Sequence, residues 1–240
     1  MKNFKGSQSA MLDLISSPNF FAKLAEIIDD SSVKFSLEEK HVPLSKGKFN
    51  EAELKDFLKE TFLPVIGDQI RDWWLDVVKP NTRTPNWDFV STCSINGIKG
   101  LLLIEAKAHW NEVKENDKCG SSNEKNRNKI EFAINEAKEE INRQVTSRIS
   151  INKDKCYQLS NRIAHAWWLA NNGIPVVLLY LGFLNCKEME GNGKVFENDS
   201  DWQNCFIAYA SMVGVDSLID KPINCGQSVF KLICKSYPKL

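Results

Sequence analysis

Pro85-Asn86-Trp87-Asp88-Phe89-Val90-Ser91-Thr92-Cys93-Ser94-Ile95-Asn96-Gly97-Ile98-Lys99-Gly100-Leu101-Leu102-Leu103-Ile104-Glu105-Ala106-Lys107-Ala108-His109 is the stretch that decides the fold. Asn96-Gly97 lies between two apolar runs, and a two-residue turn of that kind needs both central residues at positive φ. The stretch therefore predicts a β-hairpin. Pairing that begins at Ile95 opposite Ile98 and runs outward without a bulge places Asp88 opposite Glu105. That position is a non-hydrogen-bonded pair, with Cα atoms about 4.5 Å apart. A period of two then puts Lys107, and beyond it His109, on the face of Glu105.

Two carboxylates directly opposite each other repel and destabilise a sheet. A hard divalent cation removes that repulsion, because Mg²⁺ is typically held by one or two carboxylates together with waters and phosphate oxygens. The competing reading is a surface salt bridge on an exposed hairpin. Against it, Phe89, Val90 and Leu101 to Ile104 are apolar at successive positions, as in a strand covered on both faces. Charges in such a strand are rarely buried unless paired or metal-bound.

Asp88, sixteen intervening residues and then Glu105-Ala106-Lys107 resemble the active-site signature of the PD-(D/E)XK nuclease superfamily. One departure stands in the first motif, where Trp87 precedes Asp88 and Pro85 lies three positions upstream. The wider wording Asn86-Trp87-Asp88, Glu105-Ala106-Lys107-Ala108-His109 and Tyr157-Gln158-Leu159-Ser160-Asn161-Arg162 is similar to a bacterial branch of that superfamily. The resemblance spans roughly residues 67–184.

It implies an α/β fold with a restriction-endonuclease-like core, in which a central mixed sheet carries the active-site hairpin and helices flank it. It implies that Asp88 and Glu105 hold Mg²⁺, or Mn²⁺ in its place, with the Ala106 carbonyl. Lys107 would orient or activate the attacking water. A helix before the hairpin often supplies another acid in this superfamily. Asp68 is the choice here over Asp72, Glu53 and Glu60, because it follows the Gly67 break. A polar residue on a later helix contacts the centre or a phosphate, and Gln158 and Arg162 occupy that place. Asn161 and His165 share their face by helical spacing. His109 is a candidate for phosphate contact or proton transfer, with an ordinary loop hydrogen bond as the alternative.

The implied activity is metal-dependent hydrolysis of phosphodiester bonds, in DNA first. The rival is a catalytically silent nucleic-acid-binding or assembly module on the same scaffold, in a defence or mobile-element system.

Composition frames these expectations. The chain has 240 residues, 42% hydrophobic and 26% charged, ordinary values for a globular protein. No run of eighteen apolar residues predicts a membrane span, and Met1-Lys2-Asn3-Phe4-Lys5 does not open a secretory signal. Seven cysteines without a C-x-x-C pair fit neither a disulfide framework nor a zinc finger, and point to reduced thiols in a cytoplasmic protein. Three scattered histidines argue against a histidine-based zinc site. Net charge is zero, so a nucleic-acid partner needs a local positive field. Residues 121–167 carry nine Lys/Arg against six Asp/Glu, a modest excess. A homodimer is also open.

The remaining elements follow from periodicity. Residues 1–66 read as an N-terminal helical region packed on a core formed by 67–240. Helix is predicted over 9–30 with a break near Pro18, after Asn50 with Glu53 at its third position, and from about Asp68 with Ile70, Trp73, Trp74 and Val77 inward. Residues 111–123 read as a mobile polar loop. Ser121-x-x-Glu124 opens a helix to about Ile149, and Tyr157–Asn172 forms another, stopped by Gly173. A buried strand over 174–181, a helix over 200–213 with Trp202, Phe206, Ile207 and Tyr209 inward, and a strand over 228–236 complete the chain.

Overall fold

A computed structural model describes residues 4–79 and 82–239. The chain opens with helices α1 (Gly6–Ile15) and α2 (Phe20–Ile28), parted at Pro18 as predicted. Three two-residue strands follow, β1 (Val33–Lys34), β2 (His41–Val42) and β3 (Ala52–Glu53). Helices α3 (Leu54–Thr61) and α4 (Pro64–Trp74) lead to β4 (Asn86–Trp87) and the hairpin β5 (Phe89–Ile95) and β6 (Ile98–Lys107). Then come α5 (Glu124–Gln144), α6 (Tyr157–Asn171), β7 (Val176–Leu184), α7 (Asp199–Ser211), β8 (Pro222–Cys225) and β9 (Ser228–Pro238).

The hairpin has the expected register. Ile95 pairs with Ile98 and the rungs continue to Phe89 with Ile104, while Asn96 and Gly97 sit at φ 52° and 80°. The main sheet runs β1-β5-β6-β7-β9-β8, with β2 also on β5. Pairing is antiparallel for β5 with β6 and β8 with β9, and parallel for β6 with β7 and β7 with β9. The fold is thus mixed α/β, a mixed sheet with helices on both faces.

Alternation along β6 assigns the two cores. Leu101 and Leu103 pack with α3 to α7, whereas Leu102, Ile104 and Ala106 pack with α1 and α2. Glu105 and Lys107 continue the first series, so period two turns them towards the face that α6 covers. Residues 1–66 contribute α1 and α2 to one core, α3 to the other, and β1 and β2 to the main sheet.

Several boundaries differ from the expectation. Asn50 does not cap a helix: Glu53 ends β3, and its Oε1 accepts from the Thr84 amide at 2.9 Å and from the Thr84 hydroxyl at 3.1 Å. α4 starts at Pro64 rather than near Asp68, so Gly67 lies inside it. Its missing side chain admits α3, since a Cβ there would stand 2.3 Å from the Lys55 carbonyl oxygen. α5 is capped by Asn123, whose side chain accepts from the Asn126 amide at 3.1 Å, and it ends at Gln144. Ile207 is exposed on α7, while Trp202, Phe206 and Tyr209 point inward. The segment after β6 is tied down: the Cys156 amide donates to the Glu115 carbonyl, the Tyr157 amide to the Asp117 carbonyl and the Cys119 amide to the Lys153 carbonyl.

The largest departure is α6. Its spacing gathers Gln158, Asn161, Arg162 and His165 on one face, and the fold buries every residue from Leu159 to Ala170, the polar side with the apolar one. The helix lies between α5 on one side and β7, β8 and β9 on the other, which leaves no face to solvent.

Candidate active site

The ladder between β5 and β6 stops at Phe89 and Ile104, one position short of the predicted rung between Asp88 and Glu105. Upstream of that rung the chain bends at Asp88, and β4 pairs with β3 instead of lengthening β5. The Ala106 amide, left without a strand partner on this side, donates to Asp88 Oδ2 at 2.8 Å. Amide and carbonyl of one strand residue point to the same edge, so the Ala106 carbonyl faces Asp88 as well. The two acids come together through a side-chain hydrogen bond and not through a cross-strand rung. The opening lies at the carboxyl end of β6, a usual place for ligands in sheets with parallel strands.

Glu105 is 2% exposed and both of its oxygens are occupied. Lys107 Nζ donates to Oε1 at 2.5 Å, and Arg162 Nε donates to Oε2 at 2.8 Å. Arg162 also donates through Nη1 to Asn161 Oδ1 at 3.0 Å and through Nη2 to the Asn86 carbonyl at 2.6 Å, with its guanidinium 4.2 Å above the Trp87 ring. The fork is therefore held from several directions, as a buried arginine must be.

Burial pushes the Asp88 carboxyl up to about 8, and the Glu105 charge adds to that rise against Lys107 and the Ala106 amide. Burial would raise Glu105 too, but Lys107 and Arg162 outweigh it and hold Glu105 below the usual carboxylate range. Burial disfavours the charged Lys107 ammonium, and Glu105 and Asp88 more than offset it, so Lys107 stays protonated. The environment separates the two acids: one is firmly ionised, the other is protonated in neutral solution.

A cavity of about 790 Å³ opens over Asp88, Glu105, Ala106 and Lys107. His109, Gln158 and Arg162 line it as well. His109 lies past the end of β6, bridged to Val195, with Nε2 3.7 Å from Glu112 Oε1 and a buried Nδ1 without a protein partner among the described residues. Asn161 is buried and serves Arg162 rather than the cavity. His165 turns away into a cluster of Trp73, Trp74 and Trp87. Its Nδ1 pairs with the Asn161 carbonyl at 2.7 Å, and burial pushes its imidazole down to about 3.

Asp68 does not line this cavity. It is 44% exposed on α4 and pairs with Lys59 and Arg71 at 2.7 Å each. Because α4 begins at Pro64, Asp68 sits in its second turn instead of at a helix start facing the hairpin. Three further acids line the cavity that the motifs do not mark: Glu51, Glu112 and Asp117. Glu51 lines the cavity, and its charge also raises Asp88. Glu112 accepts the Ala108 amide at 2.5 Å and so secures the chain just beyond β6. Glu112 is five positions past Lys107, close enough in sequence to be considered with it. Glu51 has no pattern around it that would single it out.

No protein-family model, curated protein or solved structure matches this chain.

The oxygen-rich set formed by Asp88, Glu105 and the Ala106 carbonyl suits a hard cation better than a soft one. Among the described residues no group of three or more His, Cys, Asp or Glu is arranged to hold a metal. Two carboxylates are nonetheless enough for Mg²⁺, which keeps several waters and takes other ligands from substrate.

Proposed function

We propose that this protein is a metal-dependent phosphodiesterase acting on nucleic acid, with DNA the first candidate, built on a restriction-endonuclease-like core. The observation that carries the reading is the placement of Asp88, Glu105 and Lys107 together at the open end of β6, on the floor of one cavity. A bound Mg²⁺ would polarise the phosphate and acidify a coordinated water. Asp88 and Glu105 would hold it, with the Ala106 carbonyl completing the protein's share. Lys107 would leave Glu105 to orient the attacking water or to stabilise charge developing on the phosphate. Arg162 would keep Glu105 in place from behind, the contact with the centre that the sequence reading allowed beside a contact with phosphate. His109 and Gln158, on the cavity wall, are left to meet substrate.

A second reading has its own support. Both oxygens of Glu105 are already in salt bridges, and among the described residues no group of three or more His, Cys, Asp or Glu is arranged to hold a metal. A binding or assembly module that has lost catalysis would look similar.

Cleavage assays with Mg²⁺ or Mn²⁺ on single-stranded, duplex and RNA substrates separate the two. Asp88→Asn, Glu105→Gln and Lys107→Met should each lower cleavage by about 10²-fold or more, the scale of removing one preorganised donor from the transition state, with circular dichroism unchanged. Full activity in Glu105→Gln removes this site from catalysis, and calorimetric silence with millimolar Mn²⁺ favours the module.

A further inference from the structure

Two more cavities adjoin the one over the carboxylates, and they differ in charge. The first, about 640 Å³, shares Asn86, Asp117, Gln158 and Arg162 with it and lies between residues 82–85 and 118–123. The second, about 610 Å³, shares Glu51 and Asn86 and runs beside α3. That second cavity sets Glu51, Glu53, Asp56 and Glu60 against Lys55 and Arg83, which repels a polyanion.

The first cavity is the opposite. Arg83, which this cavity shares with the acidic one, and Lys118 on its rim are exposed and have no ionic partner among the described residues. The one carboxylate among the described residues lining it is Asp117, which is engaged at the first turn of α6: its Oδ2 accepts from the Gln158 amide at 2.9 Å and its carbonyl from the Tyr157 amide at 3.2 Å. Lys114, on the rim of the carboxylate cavity, is likewise exposed and unpaired among the described residues.

Depth adds a second constraint. Glu105 and Lys107 are 2% and 6% exposed. Ser7, Glu51, Asn111 and Asn192 line the same cavity. Duplex DNA is a stiff rod with a persistence length of about 150 base pairs, and its phosphates lie on the outside. A phosphate fixed on such a rod is poorly placed to reach two side chains as buried as Glu105 and Lys107. An unpaired strand bends freely, and a basic groove that follows the backbone is the usual way proteins hold one.

We propose that the substrate is an unpaired nucleic-acid strand. Its scissile phosphate reaches the floor at Glu105 and Lys107, and the adjoining nucleotides run into the cavity between residues 82–85 and 118–123, with Arg83 and Lys118 on their phosphates. The inference rests on the phosphodiesterase reading for the identity of the floor, and its test is independent of turnover.

The test is fluorescence anisotropy with a labelled single-stranded DNA, the same sequence as RNA, and a blunt duplex, in buffer containing Ca²⁺. Wild type should bind the single strand at least about tenfold more tightly than the duplex, which is about 1.4 kcal/mol. Arg83→Ala with Lys118→Ala should weaken single-strand binding and flatten its salt dependence by roughly 0.7 in logarithmic slope for each phosphate no longer neutralised. Arg83→Lys with Lys118→Arg should restore both. Equal binding of duplex and single strand, or an alanine double variant that binds like wild type, overturns the proposal. The DNA and RNA arms decide the sugar. Mn²⁺-dependent hydrolysis of bis(4-nitrophenyl) phosphate by wild type is measured alongside. Selective strand binding without any hydrolysis sinks the phosphodiesterase reading alone, and hydrolysis without strand preference sinks this inference alone.

Discussion

Asp88 is held protonated in neutral solution by burial and by the charge of Glu105. Its ordinary value is 3.8 and its folded value about 8. A group raised on folding contributes stability that is complete below its unfolded value and disappears as pH climbs through its folded value. Metal-free protein should therefore lose stability from Asp88 between about pH 4 and pH 8. Asp88→Asn removes the titration, so its melting temperature should gain on wild type progressively from pH 5 to pH 9, and Mg²⁺ or Mn²⁺ should narrow the gap by binding wild type. A difference that stays flat with pH would mean that Asp88 is already ionised in neutral solution. At this scale much is readable from sequence: a turn dipeptide and a period of two set Glu105 and Lys107 on one face at the end of the hairpin, while Asp88, one position beyond the last rung, is held by the Ala106 amide instead of the expected pairing. The grip of Arg162 on Glu105 is not readable, because it joins residues 57 positions apart across two elements.

At the scale of elements, strands are more legible than helix ends. The Asn96-Gly97 turn fixes the β5–β6 register locally, and the buried run of β7 needs no partner to be recognised. Helix starts depend on packing that no local pattern contains. α4 reaches back to Pro64 because Gly67 lets α3 cross it closely. Alanine has the better helix propensity by about 1 kcal/mol. Gly67→Ala should nonetheless destabilise the protein by about 1–3 kcal/mol, the usual scale of overpacking, since its Cβ would meet the Lys55 carbonyl. Urea denaturation checks this; a stabilised variant would mean that α3 and α4 separate without penalty. The face of α6 misleads for a related reason. Gln158, Asn161, Arg162 and His165 share one face by spacing, but Asn161, Arg162 and His165 are buried and only Gln158 and Arg162 line the carboxylate cavity, with Arg162 satisfied by Glu105, Asn161 and a backbone carbonyl.

Across the whole molecule, a net charge of zero conceals a division between the cavities: acids gather beside α3, Lys118 lies in the other cavity, and Arg83 stands where the two meet, both basic residues with no ionic partner among the described residues. Summed charge cannot display that, because it depends on which loops the fold sets side by side. No helix among the described residues is long and apolar enough to cross a membrane. The most protected part of the fold is the run β6-β7-β9, with strands paired on both sides and helices over both faces. Backbone amides there should exchange with deuterium most slowly, near the global opening free energy, and residues 33–53, with their two-residue strands, much sooner. Fast exchange in β7 would contradict this layout.

The placement of β9 has a consequence for biosynthesis. It lies between β7 and β8 in space although it follows every other strand in sequence. While a ribosome is still delivering the chain, β7 therefore waits with one bare hydrogen-bonding edge, rich in Val and Leu. Such an edge invites pairing with a neighbouring nascent copy. Translation that stalls before residue 228 would leave that adhesive rim uncovered.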